Sequence, residues 1–396
     1  MILPDARWRH RPGLPRLLDL LGARAGETRY VGGCVRDTLF GLEASDIDLA
    51  TRLAPEEVMR RLEAAAIRSV PTGLAHGTVT AIVQGRPIEV TTLRRDVATD
   101  GRRATIAYTD DWREDAARRD FTINALSADP ASSEIFDYFE GLADIEARRV
   151  RFIGDPLKRI AEDHLRILRF FRFHARFGRG TPDAAGLDAC AARANDLMTL
   201  SRERIADELL KLLALADPAP TVALMLARGI FRPILPEITD ARGLAALVET
   251  EREAGVAPVA IRRLAALLPP DAQVAAAVAA RLRLSKVQRR RLVSAAERTL
   301  DAPRLLAWEI GSAEAVDRLL LAGRAGPDIA AIADWQPPRL PLGGGDLVAM
   351  GLPEGPIVAK TLRMLAREWA RSGFPDAREA RAMARRHVDQ ALRDMK

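Results

Sequence analysis

The chain has 396 residues, of which 48% are hydrophobic and 29% are charged, so it is too long for one ordinary core and too apolar for a disordered protein. Lys and Arg number 60 against 54 Asp and Glu, and the formal net charge of +6 suits a polyanionic partner. With two cysteines, five scattered histidines and no apolar run of about 18 residues, we expect a cytoplasmic protein with no disulfide framework, no structural zinc and no membrane span.

Residues 28 to about 150 alternate short β-branched runs with helical patterns, which predicts an α/β or α+β domain. The run "TRYV" predicts a strand that leads into a Gly-Gly turn and a short helix. "SDIDLAT" predicts a strand with Asp46 and Asp48 on one face, because side chains repeat every two residues along a strand. "APEEVMRRLEAAA" is typical of a helix with Pro55 near its start, and "HGTVTAIVQGRPIEVTTL" of a hairpin whose second arm can direct Glu89 toward the two aspartates.

The next stretch, residues 94–120, is crowded with charge and lacks apolar periodicity, so we expect a loop or lid. From "DPLKRIAEDHLRILRFFRFHARFG" onward the pattern is helical, with amphipathic segments to about residue 331. A run rich in Pro and Gly, residues 335–356, precedes another amphipathic helix. The second half of the chain is therefore predicted to be all-α.

Two short motifs near the start of the chain can carry phosphoryl-transfer chemistry. Asp46 and Asp48 would lie about 7 Å apart on one strand face, an arrangement that invites Mg²⁺, and two such ions stabilise in-line displacement at phosphorus. Gly32 and Gly33 end a strand and open a helix, so that backbone N–H groups can face a phosphate, with Arg36 within one turn. Taken alone, each motif is more often a solvated or structural turn.

A third motif can select a base. On a helix, Asp163 and Arg166 are i, i+3 neighbours, and Arg169 and Arg172 continue this spacing. An arginine fork can donate to cytosine N3 and O2, or to adenine N1, while a carboxylate accepts from the exocyclic amino group. Uracil and guanine present the opposite polarity, and an unpaired buried polar group costs about 1–3 kcal/mol. The alternative is an ordinary surface salt bridge.

Together, "GGCVRD", Gly41 and "SDID" resemble the signature of nucleotidyltransferases related to DNA polymerase β, specifically the bacterial-type family of tRNA CCA-adding enzymes and poly(A) polymerases. "RRDFTINAL", residues 118–126, resembles the family block in which an arginine contacts the nucleotide triphosphate, a role that the resemblance gives to Arg119. "EDHLRILRFFRF" resembles the block that reads the incoming base, and "SRERIADELLKLL" a block that supports the neck. "PLGGGDLVAMGLPEGP" resembles a C-terminal element, although a plain helix–turn–helix corner explains it equally well.

The resemblance implies an α+β chain with a polymerase-β-like nucleotidyltransferase head, a mixed sheet with helices, followed by an all-α neck, body and tail. We expect a helical lead-in over residues 1–27, a catalytic head over 28–150, a neck with the base-recognition helix over 151–215, and a body and tail that bind tRNA over 216–396.

The resemblance also implies an enzyme that adds the 3′-terminal CCA to tRNA from CTP and ATP, with Mg²⁺ held by Asp46 and Asp48 and release of pyrophosphate. The run "DVATDGRRATIAYTDDW" resembles the intact loop of members that add the terminal A. The implied catalytic residues are Asp46, Asp48 and Glu89, and the implied nucleotide-binding residues are Gly32, Gly33, Arg36, Arg119, Asp163, Arg166, Arg169 and Arg172.

Three alternatives stay open. No distinctive motif marks the third carboxylate, so Asp137 could take the place of Glu89, or Glu89 could be purely structural. A poly(A) polymerase shares the same blocks. A non-catalytic RNA-binding or nucleotide-binding protein could retain the same scaffold.

Overall fold

The computed structural model describes residues 1–100 and 103–395, which form two compact units, Met1–Pro236 and Glu237–Lys396. The first unit contains every strand in this part of the chain and the first ten α-helices, and the second is helical. The α+β prediction is confirmed. No helix in the described ranges combines the length and the apolar composition needed to cross a membrane.

A seven-stranded mixed sheet forms the centre of the first unit, in the order β3-β4-β5-β2-β1-β8-β9, and a separate two-stranded sheet pairs β6 with β7. All pairings are antiparallel except that of β2 with β5. The strands are β1 (Thr28–Val31), β2 (Asp48–Thr51), β3 (Ser69–Gly73), β4 (Thr78–Val83), β5 (Arg86–Thr92), β6 (Arg94–Asp100), β7 (Arg103–Tyr108), β8 (Ser127–Ala128) and β9 (Ile135–Phe136).

The predicted hairpin is confirmed as β4 and β5. Its turn residues, Gln84 and Gly85, both have positive φ, of 50° and 74°, which matches the right-handed twist of the two strands. Val79, Ile88 and Val90 are buried in the sheet core, whereas Glu89 between the last two is exposed, as strand alternation requires. The hairpin therefore presents Glu89 on the face opposite to the core.

Two local predictions are wrong. The strand expected from Ser45 begins only at Asp48, so Asp46 lies in the preceding connection and not on the strand. The segment predicted as a loop forms strands β6 and β7 and then the helix Trp112–Ala117, because its backbone groups pair with each other despite the missing apolar pattern. Gly101 and Arg102, at the centre of the predicted loop, lie outside the described residues.

The helices of the first unit are short, and most follow the sheet in the chain. They are α1 (Leu14–Leu20), α2 (Gly33–Leu39), α3 (Pro55–Ala64), α4 (Trp112–Ala117), α5 (Gly141–Glu146), α6 (Pro156–Glu162), α7 (Arg166–Phe177), α8 (Ala184–Ala192), α9 (Arg202–Leu213) and α10 (Ala219–Ala227). Helix α3 carries Pro55 at its first turn, as predicted.

The helix predicted through "EDHLRILRFFRF" is interrupted. Helix α6 ends at Glu162 and α7 begins at Arg166, and Asp163 between them has the extended values φ −154° and ψ 106°. Asp163 and Arg166 are consequently not neighbours on one continuous helix. The break reorients the chain so that the Asp163 side chain projects from a connection and not from a helix face.

Aromatic packing joins α7 to the chain before it. Phe121, Phe152 and Phe170 are buried, with ring centroids 4.9 Å apart for the first pair and 5.5 Å apart for Phe152 and Phe170. Phe173 lies 5.2 Å from Phe121. These contacts between large apolar side chains fix α7 against the segment that contains "RRDFTINAL".

The second unit is all-α, as predicted. Its helices are α11 (Arg242–Glu253), α12 (Ala260–Leu267), α13 (Ala272–Arg281), α14 (Lys286–Glu297), α15 (Pro303–Ile310), α16 (Ser312–Leu321), α17 (Pro327–Ala333), α18 (Gly344–Ala349), α19 (Pro356–Arg371) and α20 (Ala377–Asp394). The Gly-rich run forms α18 and the turn into α19, which is a helix–turn–helix corner.

Candidate active site

Carboxylates meet where strand β2 begins. Asp48 is the first residue of β2 and stands opposite Glu89 in the parallel pairing with β5, so the two side chains share one face of the sheet. Burial raises the pKa of Asp48 to about 6, and the nearby charges of Glu89 and Asp46 add to this, against the lowering effect of Arg119 and Arg36. Ionised Asp48 is unfavourable next to Glu89 and Asp46, and a bound cation would offset the repulsion among the three carboxylates.

The alternative third carboxylate has a different environment. Asp137 accepts hydrogen bonds from the backbone N–H groups of Phe139, Gly141 and Leu142, at 3.1, 2.9 and 2.9 Å. These bonds satisfy N–H groups at the start of helix α5, which is the structural task of a capping residue. The register of β2 with β5 thus favours Glu89 as the third acid of this edge.

The turn at Gly32 places its backbone next to the guanidinium group of Arg119. Gly32 has φ +65° and ψ −121°, a conformation that other residues rarely adopt, and a Cβ atom here would lie 2.9 Å from Arg119 Nη1. Gly33 begins α2, and Arg36 follows within one turn. Glycine at position 32 therefore permits both the turn and the close approach of Arg119.

Arg36 is buried within a hydrogen-bonded network. Its Nε donates to Asp37 Oδ1 at 2.7 Å and its Nη1 donates to Asn124 Oδ1 at 2.6 Å. Asp37 also accepts from Arg176 Nη2 at 3.2 Å. Burial lowers the pKa of Arg36, and Asp37 counteracts this. The network fixes Arg36 with respect to both "RRDFTINAL" and helix α7.

Asp120 continues this network toward helix α7. It accepts from Asn124 Nδ2 at 2.8 Å through Oδ1, and from Arg169 Nε at 2.8 Å through Oδ2. Burial by itself would raise the pKa of Asp120, but Arg169 and Asn124 outweigh it and hold the pKa at about 2. Asp120 and Asn124 are four residues apart within a motif that the sequence had already marked, although only its arginine was assigned a role.

Arg119 is held loosely by comparison. It follows Arg118, the C-cap residue of α4, so the Arg-Arg-Asp run lies at the end of that helix. Its Nη2 lies 3.4 Å from Asp115 Oδ2 and its Nη1 lies 3.4 Å from the Asn124 carbonyl oxygen. With long contacts and a side chain that is 20% exposed, Arg119 keeps donor capacity for an anionic ligand.

Asp163 and Arg166 do not pair with each other. Asp163 accepts from Arg204 Nη2 with both oxygens, at 3.0 and 2.8 Å. Arg166 donates through Nη1 to Glu162 Oε2 at 2.6 Å and to the Arg159 carbonyl oxygen at 2.9 Å, and through Nη2 to the Arg118 carbonyl oxygen at 3.0 Å. Each residue is held by a separate partner, which leaves the two side chains apart.

Arg169 and Arg172 differ in their surroundings, although the sequence treated them alike. Arg169 bonds to Asp120 and lies 3.7 Å from Glu208 Oε1, whereas Arg172 Nε donates to Glu208 Oε2 at 2.6 Å. Glu208, on helix α9, is 3% exposed. Arg172 therefore joins α7 to α9, and a role in nucleotide binding stays a prediction for it.

These elements enclose one cleft of about 450 Å³ within the first unit. Its lining contains five arginines and three aspartates, an excess of positive charge that suits a polyphosphate. Predicted residues outside this lining are Asp46, Glu89 and Arg172. The lining residues are Gly32, Gly33, Arg36, Asp48, Arg118, Arg119, Asp120, Asn124, Asp163, Arg166, Arg169 and Phe173.

The sequence missed several of the residues that organise the cleft: Asp37, Asp115, Asp120, Asn124, Arg204 and Glu208. A spacing signal was present for one pair, since Arg204 and Glu208 are four residues apart on helix α9. Residues four apart share one face of a helix. The sequence could not say which other element that face would meet.

The comparisons with known proteins agree with this architecture. Residues 28–151 match a family model described as "Poly A polymerase head domain", and residues 182–242 match one described as "Probable RNA and SrmB- binding site of polymerase A". The mitochondrial CCA tRNA nucleotidyltransferase 1 of Mus musculus is 33% identical over 382 residues, which cover 91% of this chain and 87% of the mouse protein.

A bacterial relative and a solved structure show the same extent of similarity. The CCA-adding enzyme of Latilactobacillus sakei is 30% identical over 401 residues, covering 92% of this chain and 95% of the relative. The crystal structure of the Bacillus stearothermophilus CCA-adding enzyme in complex with CTP superposes with a TM-score of 0.73 at 25% identity, over 97% of this chain and 100% of that one. The chain therefore belongs to the family of tRNA CCA-adding enzymes and poly(A) polymerases, and it is a nucleotidyltransferase.

Proposed function

We propose that this protein completes the 3′-terminal CCA of tRNA from CTP and ATP without a nucleic-acid template. The observation that carries the proposal is that Asp48, several arginines and the pair Asp163 and Arg166 line one cleft. Such a cleft offers an acidic edge for reaction, cations for a triphosphate and a polar template for a base. The names of the relatives, CCA-adding enzymes of bacteria and animals, support the same substrates.

Mg²⁺ fits the acidic edge of the cleft. The pKa of Asp48 is raised by burial first and then by the negative charges of Glu89 and Asp46, and a divalent cation would favour the ionised carboxylate. Among the described side chains, no three His, Cys, Asp or Glu residues group so as to hold a metal ion by themselves. Mg²⁺ usually binds in proteins through one or two carboxylates completed by substrate phosphates and water. Asp46 and Asp48 would hold the ion, which supplies charge neutralisation at the reacting phosphate.

The arginines of the cleft would bind the triphosphate. Arg119 keeps donor capacity toward the cleft, and Arg36 and Arg169 add positive charge from fixed positions. The RNA 3′-hydroxyl would attack the α-phosphate, with Glu89 beside Asp48 as the carboxylate that accepts its proton, and pyrophosphate would leave toward the arginines. Fixed charges of this kind require little reorganisation during the reaction.

Arg166 has the donors that base selection needs. Its contacts engage both hydrogens of Nη1 and one of Nη2, and in the described ranges the Nε–H and the second Nη2–H donate to no protein acceptor. These two donors would meet cytosine N3 and O2, or adenine N1. Asp163 would accept from the exocyclic amino group. Uracil and guanine would leave at least one of these groups unpaired.

The remaining assignments follow from the same proposal. A head over residues 28–150, a neck over 151–215 and a tRNA-binding body and tail over 216–396 stay predictions, as does a cytoplasmic location. Recognition of tRNA by the helical second unit would use shape and phosphate charge, since A-form RNA offers side chains little sequence information.

Purified protein incubated with tRNA that ends before CCA, and with each labelled nucleoside triphosphate singly and in pairs, tests the proposal. We expect two cytidines from CTP alone and one further adenosine when ATP is added, with no product from Asp48→Ala. A long adenosine tract from ATP alone would identify a poly(A) polymerase instead. No product from CTP with ATP would contradict the proposal.

A further inference from the structure

An ion pair joins the predicted base-reading carboxylate to a helix that has no assigned chemical role. Arg204, on α9, donates from one nitrogen, Nη2, to both oxygens of Asp163. The Asp163 side chain projects from the break between α6 and α7. The two residues are 41 positions apart in the sequence, so only the tertiary packing brings them together.

The ion pair with Arg204 determines which oxygen of Asp163 can still accept a hydrogen bond. Its Oδ1 accepts from the Leu165 backbone N–H at 3.1 Å as well as from Arg204, whereas within the described ranges Oδ2 accepts from Arg204 alone. An ionised carboxylate offers about four acceptor positions, two on each oxygen. Oδ1 is therefore saturated, and one position remains on Oδ2.

We propose that Arg204 is a specificity-determining positioning residue, which holds Asp163 so that Oδ2 presents a single acceptor to the amino group of the incoming base. The inference rests on the proposed function, because it assigns Asp163 to base selection. It adds a residue that acts through Asp163 and does not itself touch the nucleotide.

A nearby competitor makes this task necessary. Arg166 is three residues from Asp163, and both side chains line the same cleft. If Asp163 paired with Arg166, donor and acceptor would satisfy each other and neither would read a base. Arg204 pairs with Asp163, and Glu162 pairs with Arg166 through the 2.6 Å hydrogen bond from Nη1. Two separate ion pairs thus keep the two halves of the template apart.

The exposure of the pair distinguishes positioning from stabilisation. The side chains of Arg204 and Asp163 are 33% and 30% exposed. Ion pairs with this access to solvent contribute little to the free energy of unfolding. Loss of Arg204 should therefore change nucleotide selection much more than stability.

The test measures kcat and KM of the full chain for CTP and UTP on tRNA that ends before CCA, and for ATP and GTP on tRNA that ends in CC. For Arg204→Ala we expect KM for CTP to rise and the ratio of kcat/KM for CTP over UTP to fall about 10- to 100-fold. Arg204→Lys should be intermediate, since the contact uses one nitrogen. Lys211→Ala, which removes an exposed cation from the same helix, is the matched control and should equal wild type.

A double-mutant cycle with Asp163→Ala separates the proposed route from a general effect on the fold. If Arg204 acts through Asp163, Arg204→Ala should change the CTP/UTP ratio no further in the Asp163→Ala background. Equal ratios for wild type and Arg204→Ala, or additive effects in the double variant, would overturn the inference. If Arg204→Ala does not fold by thermal melting, Arg204→Lys decides by the same ratio. A wild-type protein that adds no C or A would instead contradict the proposed function.

Discussion

Asp48 and Glu89 face each other across two parallel strands, on the one pair in the seven-stranded sheet that is not antiparallel. The register brings two carboxylates together at the edge of the cleft, and burial together with the charge of Glu89 raises the pKa of Asp48 to about 6. Ionised Asp48 therefore opposes folding in the metal-free protein. This consequence can be measured without any assumption about the reaction.

We expect Asp48→Asn to stabilise the metal-free protein while it abolishes nucleotide addition. A pKa raised from 3.8 to about 6 corresponds to at most about 3 kcal/mol of unfolding free energy. The folded state binds more protons between these two values, so this contribution lowers stability as the pH rises from about 4 to about 6. Urea denaturation in EDTA should show wild type and variant equal near pH 4 and the variant more stable at pH 7. A variant less stable than wild type at pH 7 would contradict the explanation.

Stabilisation by Mg²⁺ should increase with pH, whereas the Asp48 contribution to the stability of the metal-free protein decreases with pH. Protons and Mg²⁺ compete for Asp48, so the increase in melting temperature on adding Mg²⁺ should be largest above pH 6 and should disappear near pH 5. Differential scanning fluorimetry with MgCl₂, against NaCl of equal ionic strength, measures this increase. Asp48→Asn supplies the control and should lose most of the response to Mg²⁺ at every pH. A response that is equal at pH 5 and pH 8 would argue against binding at this acidic edge.

Gly32→Ala should weaken nucleotide binding by displacing Arg119. The new Cβ would lie 2.9 Å from Arg119 Nη1, and the backbone has a φ of +65°. We expect KM for both nucleotides to rise about tenfold, with a loss of about 1–3 kcal/mol in stability from the strained backbone. Gly26→Ala is the matched control, because Gly26 also has positive φ, +75°, but a Cβ there meets nothing within 4 Å. Equal effects of the two substitutions on KM would mean that backbone strain alone is responsible.

Asp120→Asn should both destabilise the first unit and disturb the position of Arg169 in the cleft. The variant removes the charge of buried Asp120 from half-buried Arg169, which keeps only the longer contact of 3.7 Å with Glu208, and breaking such a pair costs up to about 3–5 kcal/mol. Because the pKa of Asp120 is lowered to about 2, its contribution is complete above the unfolded value of about 3.9 and is lost as the pH falls from there to about 2. Denaturation at pH 7 should show the full loss, and the exposed Asp207→Asn should show none. A stability of Asp120→Asn equal to wild type at pH 7 would exclude this role.

Local patterns determined much of this protein. The hairpin of β4 and β5, the strand–Gly-Gly–helix unit and the helical second half are confirmed, because alternation, turn residues and helical periodicity are read within a few residues of each other. The same locality explains two of the errors. The charged segments at residues 94–100 and 103–108 form strands although no apolar pattern marks them, and Asp163 lies in a helix break that the spacing of its neighbours did not reveal.

The sequence by itself determined many of the chemical groups in the cleft, since the motifs that carry Asp48, Arg119, Asp163 and Arg166 could each be read from a short segment. Only the tertiary structure decided which groups are partnered and which remain available. Glu89 meets Asp48 through strand register, and Asp120 takes Arg169. Arg204 forms an ion pair with Asp163, while Glu162 forms one with Arg166. The physical reason is that an ion pair depends on distance in space, and most of these partners come from separate elements whose packing no local pattern encodes.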